Sequence, residues 1–153
     1  MFDPVFSNVL VAYDGSDPSK RALDHAAKMA AMFEGELVIL TVVPKVSVPV
    51  YSNAELGAQA MDIASLQERM HENYSQSMKK AEEDIKGLYP HLKIVTILRE
   101  GRPSSTIVSE ADRLGVSLIV MGSRGLGGIT GWILGSTSRQ VVDQCTKAIL
   151  IVK

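Results

Sequence analysis

The chain reads as an α/β protein, a doubly wound parallel sheet of five strands with four helices. Three observations predict this. Apolar runs and helical patterns alternate from end to end in the order βαβαβαβαβ, which implies parallel strands with helices on both faces. The runs at 9–13, 37–40, 118–121 and 148–152 are continuous rather than alternating, as strands covered on both sides are. The length, 153 residues with 46% apolar content, suits one domain spanning 1–153 with a sizeable core.

The elements follow in order. Val9-Leu10-Val11-Ala12-Tyr13 is the first strand, and Asp14-Gly15-Ser16 breaks it. Asp17 then reads as an N-cap with Pro18 at the first helical position. Ala22, Leu23, Ala26, Ala27, Ala30 and Phe33 recur at helical spacing until Gly35. The second strand covers 36–43. Residues 44–62 read as irregular, because Pro44, Ser47, Pro49, Ser52, Asn53 and Gly57 interrupt them, with extended or helical structure in parts as the alternative, and a loop of that length is often a lid or binding loop.

A long helix is predicted over about 63–88. Its apolar stripe is Ile63, Leu66, Met70, Tyr74, Met78, Ala81, Ile85 and Leu88, with Glu68, Arg69, Glu72, Lys79, Glu82, Glu83 and Asp84 mostly off it. A third strand runs over 93–98. Gly101-Arg102-Pro103 turns the chain into a helix over 104–114, ended by Gly115. Residues 118–121 form the fourth strand, 136–144 the fourth helix, and Ala148–Val152 the closing strand.

Composition narrows the function. The formal net charge is −1, with no basic excess for a nucleic acid and no acidic tail. No apolar run approaches the ~20 residues of a membrane span, and the first residues lack a leader's basic region. A lone cysteine, Cys145, reads as a buried apolar thiol. A soluble protein of the reducing cytoplasm fits these features.

The pattern that points to chemistry is Gly122-Ser123-Arg124-Gly125, nine residues, then Gly135-Ser136. It follows a strand and precedes a helix. Glycines let the backbone approach an anion closely, and a helix start presents unpaired N–H groups and the positive end of its dipole. The expected ligand is a phosphorylated small molecule. The plainer alternative is a connection with a C-cap before it and an N-cap after it. Ser136 suits both, and Arg124 is either a phosphate partner or a solvated loop residue.

Ligands on such sheets sit beyond the carboxyl ends of the strands, where the winding reverses. Strand order 3-2-1-4-5 would bring the Asp14-Gly15-Ser16 loop and the glycine loop to one crevice. Beside a polyphosphate, Asp14 would hold Mg²⁺ or a sugar hydroxyl; otherwise it is a local cap of the turn.

Other signatures are missing from the sequence. The first turn lacks Gly-x-Gly-x-x-Gly, and no Gly-Lys-Ser/Thr follows any strand. His25, His71 and His91 are not spaced as metal ligands. No nucleophile with a nearby base stands out, so binding is favoured over catalysis.

At this point the chain resembles the universal stress protein family over nearly its whole length. The resemblance lies in Val11-Ala12-Tyr13-Asp14-Gly15-Ser16, the Gly101-Arg102-Pro103 turn, Met121 to Gly127, and Gly135-Ser136-Thr137-Ser138. It implies a flavodoxin- or Rossmann-like fold and ATP (or ADP or AMP) as ligand, since Gly-x2-Gly-x9-Gly-Ser/Thr marks the family's ATP-binding branch. By similarity, Ala12 and the backbone at Val42 would meet the adenosine. Met121 and Gly122 would line base and ribose, Asp14 the ribose or a Mg²⁺ ion, and Gly125, Gly135, Ser136 and Thr137 the phosphates. Between these, Gly127 to Leu134 carries extra glycines and no basic residue. Trp132 there would pack locally, or cover the ligand or a partner.

The resemblance also implies a homodimer through Ala148–Val152, an uncharged strand that would be an aggregation hazard at a bare sheet edge. The expectation is therefore a cytoplasmic, ATP-binding stress-response protein, a nucleotide-dependent regulator or a module for an unknown protein partner. At most it would hydrolyse ATP weakly. The alternatives are an ATP-using enzyme, such as a weak ATPase or phosphotransferase, and an interaction domain that binds no nucleotide.

Overall fold

Strand β1 (Asn8–Ala12) lies at the centre of one parallel sheet, and its neighbours on either side set the positions of everything else. The computed structural model describes residues 5–47, 56–124 and 134–153, with the backbone alone for 56–61. The further elements are α1 (Asp17–Met32), β2 (Glu36–Val43), α2 (Leu56–Leu88), β3 (Lys93–Glu100), α3 (Pro103–Leu114), β4 (Leu118–Gly122), α4 (Ser136–Gln144) and β5 (Ala148–Val152). The sheet order is β3-β2-β1-β4-β5, as expected, and every pairing is parallel.

The continuous apolar strands account for a core on each face. Alternate residues serve opposite sides, because successive strand side chains point in opposite directions. Val9, Val11, Leu37, Ile39, Leu118 and Val120 pack with Ala22, Ala26, Ala27 and Ala30 of α1 and with Met78, Ala81 and Ile85 of α2. Leu10, Val38, Leu40, Val42, Ile119 and Met121 pack on the other side with Ile107 and Ala111 of α3 and Val141 of α4.

Several boundaries differ from the sequence reading. Helix α2 starts at Leu56, inside the stretch expected to be irregular. Leu56, Ala58, Gln59, Ala60 and Met61 are good helix formers, and Gly57 in the first turn does not outweigh them. Of the α2 stripe, Met78, Ala81 and Ile85 are buried. Leu66 is 40% exposed and Leu88 68% exposed, so both lie outside the core. Strand β1 ends at Ala12, yet the Tyr13 N–H still donates to the Leu40 carbonyl at 2.9 Å. Helix α1 is capped by Ser16, whose Oγ accepts the Ser19 N–H, so Asp17 is the first helical residue rather than the cap.

Two glycines answer backbone demands. Gly115 ends α3 in the left-handed region, φ 60° and ψ 35°, where L side chains are strained. Gly35 follows α1 where a Cβ would run into the Ser7 carbonyl. The left-handed residue after α1 is instead Glu34, φ 52°. Phe33 leaves the α1 stripe to meet Phe6 edge-on, with ring centroids 5.8 Å apart.

Candidate functional site

The carboxyl ends of β1 and β4 lie side by side, so the loops after them meet at one rim. Gly122 is what allows the contact. A Cβ there would stand 2.8 Å from both the Pro18 carbonyl carbon and its Cβ, so the start of α1 rests directly on the Gly122 backbone. Gly122 itself has no positive φ; its role in the scaffold is close approach.

The loop after β1 satisfies itself. Asp14 Oδ1 accepts the Ser16 N–H at 2.9 Å, and the Asp14 N–H donates to Ser19 Oγ at 3.3 Å. Ser19 Oγ in turn donates to the Ser16 carbonyl at 2.9 Å. Asp14 therefore caps its own turn. Gly15, φ 84°, lies against Ser77 of α2: a Cβ would be 2.9 Å from its Oγ. Tyr74, one turn earlier on α2, has its hydroxyl pKa raised by burial and by the negative charge of Asp14, so the Asp14 carboxylate also acts on that helix.

The loop after β4 is arranged differently. The Ser123 N–H donates to the Val152 carbonyl at 2.8 Å, and the Ser123 carbonyl accepts the Gly135 N–H at 2.7 Å. The two ends of the glycine pattern are thereby held together beside β5. Gly135 is the N-cap of α4 in extended conformation, φ −57° and ψ 158°, and it brings no side chain to the first-turn N–H groups. Ser136 was expected as a cap but is the first helical residue and is exposed, with Thr137 half-buried behind it. Ser138 is buried, and its hydroxyl donates to the Gly122 carbonyl at 2.9 Å. Thus α1 has a side-chain cap while α4 has none, and the first residues of α4 carry the hydroxyls of exposed Ser136 and half-buried Thr137.

The remaining expected residues fall into two groups. Ala12, Val42 and Met121 join one apolar cluster, on the face shared with α3 and α4. Arg124 is half-buried immediately beyond Ser123. Gly125 and Trp132 lie outside the described residues, as do 48–55 of the expected irregular loop. Among the described residues no three His, Cys, Asp or Glu side chains cluster to hold a metal ion. A divalent cation at Asp14 would then take most of its ligands from phosphate and water. No described helix is long and apolar enough to cross a membrane.

Two polar groups beside this rim were not apparent in the sequence. Gln140 of α4 accepts Ser104 Oγ at 2.6 Å and Arg102 Nη2 at 3.2 Å, tying the start of α3 to α4. Gln67 of α2 bonds the chain leaving β2. Neither pair of partners is near in sequence, so no local pattern signals them. Ser138 had a signal, a hydroxyl three residues after Gly135.

Comparison with known proteins agrees with this architecture. Residues 6–153 match the model of the Universal stress protein family. Universal stress protein YxiE of Bacillus subtilis is 35% identical over 150 residues, 97% of this chain and 100% of that one. Universal stress protein MJ0531 of Methanocaldococcus jannaschii is 32% identical, over 97% of this chain and 83% of that one. Among solved structures, UspA of Lactobacillus plantarum superposes with a TM-score of 0.83 at 23% identity, covering 97% and 98% of the two chains. A universal stress protein in complex with cAMP superposes with a TM-score of 0.64 at 27% identity, covering 96% of each. With the sheet order, the paired rim loops and a family match over nearly all its residues, this chain belongs to the universal stress protein family.

Proposed function

We propose that the rim between β1 and β4 binds an adenine nucleotide, ATP or its ADP or AMP counterpart, and that the protein works as a nucleotide-dependent regulator or partner-binding module in the stress response. The observation that carries this reading is the first turn of α4, held beside Gly122 and Ser123 by the Gly135–Ser123 and Ser138–Gly122 bonds. The N–H groups of that turn, with the Ser136 and Thr137 hydroxyls and the backbone at Gly125 and Gly135, would hold the phosphates. Arg124 would add charge there. Ala12, Met121, Gly122 and the backbone at Val42 would take the nucleoside, and Asp14 the ribose or a Mg²⁺ ion. The complex of a 27% identical universal stress protein with cAMP supports the ligand class.

Hydrogen bonds to a charged group contribute about 1.5–3 kcal/mol each. Three or four of them, less the cost of ordering, give an affinity of micromolar order. This suits a sensor of an abundant nucleotide. The uncharged edge strand β5 would pair with its copy in a homodimer, and the whole chain would act as one cytoplasmic nucleotide-binding domain.

The experiment is purification without added nucleotide, followed by denaturation and chromatography of the released small molecules, with an ATP titration alongside. Release of an adenine nucleotide, or saturable micromolar binding, is expected. No release together with a flat titration at millimolar ATP and Mg²⁺ would overturn the proposal.

A further inference from the structure

Among the described residues the Gln67 side chain makes three bonds, all to groups outside its own helix. Its Oε1 accepts the Val46 N–H at 2.9 Å, and its Nε2 donates to the Pro44 carbonyl at 3.2 Å and to Glu100 Oε1 at 3.0 Å. Reversing the amide would set donor against donor at Val46 and acceptor against acceptor at Pro44 and Glu100, so these partners determine its orientation.

The placement gives the bonds their meaning. β2 pairs with β3 as far as Val43↔Glu100, and the Val43 carbonyl accepts the Gly101 N–H at 3.1 Å. Pro44 follows with no N–H to give. Beyond that point the Gln67 amide serves a carbonyl and an N–H two residues apart, as a neighbouring strand would. It reaches them from α2, 21 residues from Val46 and 23 from Pro44. The chain it fixes is the one leaving Val42, a buried residue in the apolar cluster that also holds Ala12 and Met121.

We infer that Gln67 is a positioning residue for the nucleoside end of the site. It sets the path of residues 44–46 beside Val42, and hence the fit of base and ribose, while phosphate recognition at α4 does not depend on it. This rests on the nucleotide-binding reading above.

The test compares two probes, ATP and inorganic tripolyphosphate, each with Mg²⁺, by calorimetry on the wild type, Gln67→Ala and Gln67→Glu. Losing two backbone bonds at this position should weaken ATP binding on the order of five- to tenfold in Gln67→Ala. Tripolyphosphate binding should stay within about twofold of wild type. Gln67→Glu keeps an acceptor for Val46 but sets a carboxylate against the Pro44 carbonyl and the Glu100 carboxylate, so it should show the same division with a loss at least as large, and it serves if the alanine variant does not fold. Equal weakening of both probes would make Gln67 a general scaffold residue and overturn the inference. Unchanged ATP binding would overturn it as well. ATP binding by the wild type without tripolyphosphate binding would contradict separate recognition of the two ends. If the wild type binds neither probe, the nucleotide reading itself has failed, a result distinct from the others.

Discussion

The Ser138 hydroxyl donates to the carbonyl of Gly122 across 2.9 Å, joining the first turn of α4 to the last residue of β4. Both residues are buried, so the bond has little competition from water. Ser138→Ala would leave the helix start held to β4 mainly through the backbone bond from Gly135 to Ser123. The expected cost is about 1 kcal/mol in urea unfolding. ATP affinity should fall by roughly fivefold, because donors that are less well placed bind a phosphate less tightly. Both effects should reverse in Ser138→Thr, which keeps the hydroxyl that donates to Gly122.

Gly122 and Gly87 should respond to alanine in opposite directions. At Gly122 the new Cβ would meet the Pro18 backbone and ring at 2.8 Å, and backbone cannot move aside cheaply. Gly122→Ala should destabilise by about 1–3 kcal/mol through overpacking. At Gly87, near the end of α2, a Cβ meets nothing within 4 Å. Gly87→Ala should stabilise by about 0.5–1 kcal/mol, because alanine loses less freedom in a helix. Denaturant midpoints of the two variants check both signs.

Glu110 sits between two arginines, with Arg99 Nε at 3.0 Å from Oε1 and Arg113 Nη2 at 2.6 Å from Oε2. The Arg113 hydrogen bond, joined by Arg99 and opposed by burial, holds the Glu110 carboxyl below its ordinary value of 4.5. A lowered folded pKa means that the stabilisation is complete above pH 4.5 and is lost as pH falls through the folded value. Glu110→Gln should therefore cost about 1–2 kcal/mol at pH 7, the two arginines being half exposed. That difference should shrink below pH 4.5. Unfolding curves at pH 7 and pH 3 compare the two.

Asp14 has two separable roles to test. Asparagine keeps a carbonyl oxygen to accept the Ser16 N–H, whereas alanine does not. Asp14→Asn should leave stability near wild type, while Asp14→Ala should cost about 1 kcal/mol. If the carboxylate also holds Mg²⁺ beside phosphate, Asp14→Asn should lose the Mg²⁺ dependence of ATP binding while keeping the fold. A Mg²⁺ dependence equal to wild type would leave Asp14 with the turn alone.

The parts legible in the sequence are those with local or repetitive causes. Unbroken apolar runs mark four of the five strands, β3 being interrupted by Thr96, and β2 and β5 have the expected bounds because charge or glycine flanks them. The pairing of β1 with β4 is signalled only by the two unusual loops, after Tyr13 and after Met121, that it brings to one rim. Boundaries failed where two residues could serve one purpose. Ser16 and Asp17 are both good caps, and the geometry of Ser19 selects Ser16. The start of α2 was hidden because Gly57 suggested a break and no long apolar stripe precedes Ile63. The bonds of Gln67 and Gln140 were invisible, since they join residues 21 to 38 positions apart through polar side chains that follow no period.

The most direct measurement is calorimetric titration of ATP with Mg²⁺ into the wild type and into Ser136→Asp. The substitution places a negative charge at the exposed first residue of α4, where it suits the helix dipole and so should leave the fold intact. It would also repel a phosphate at that place. The expected result is saturable binding of micromolar order by the wild type and none by the variant, with native circular dichroism in both. Equal ATP binding by the two proteins would contradict a phosphate site at the start of α4.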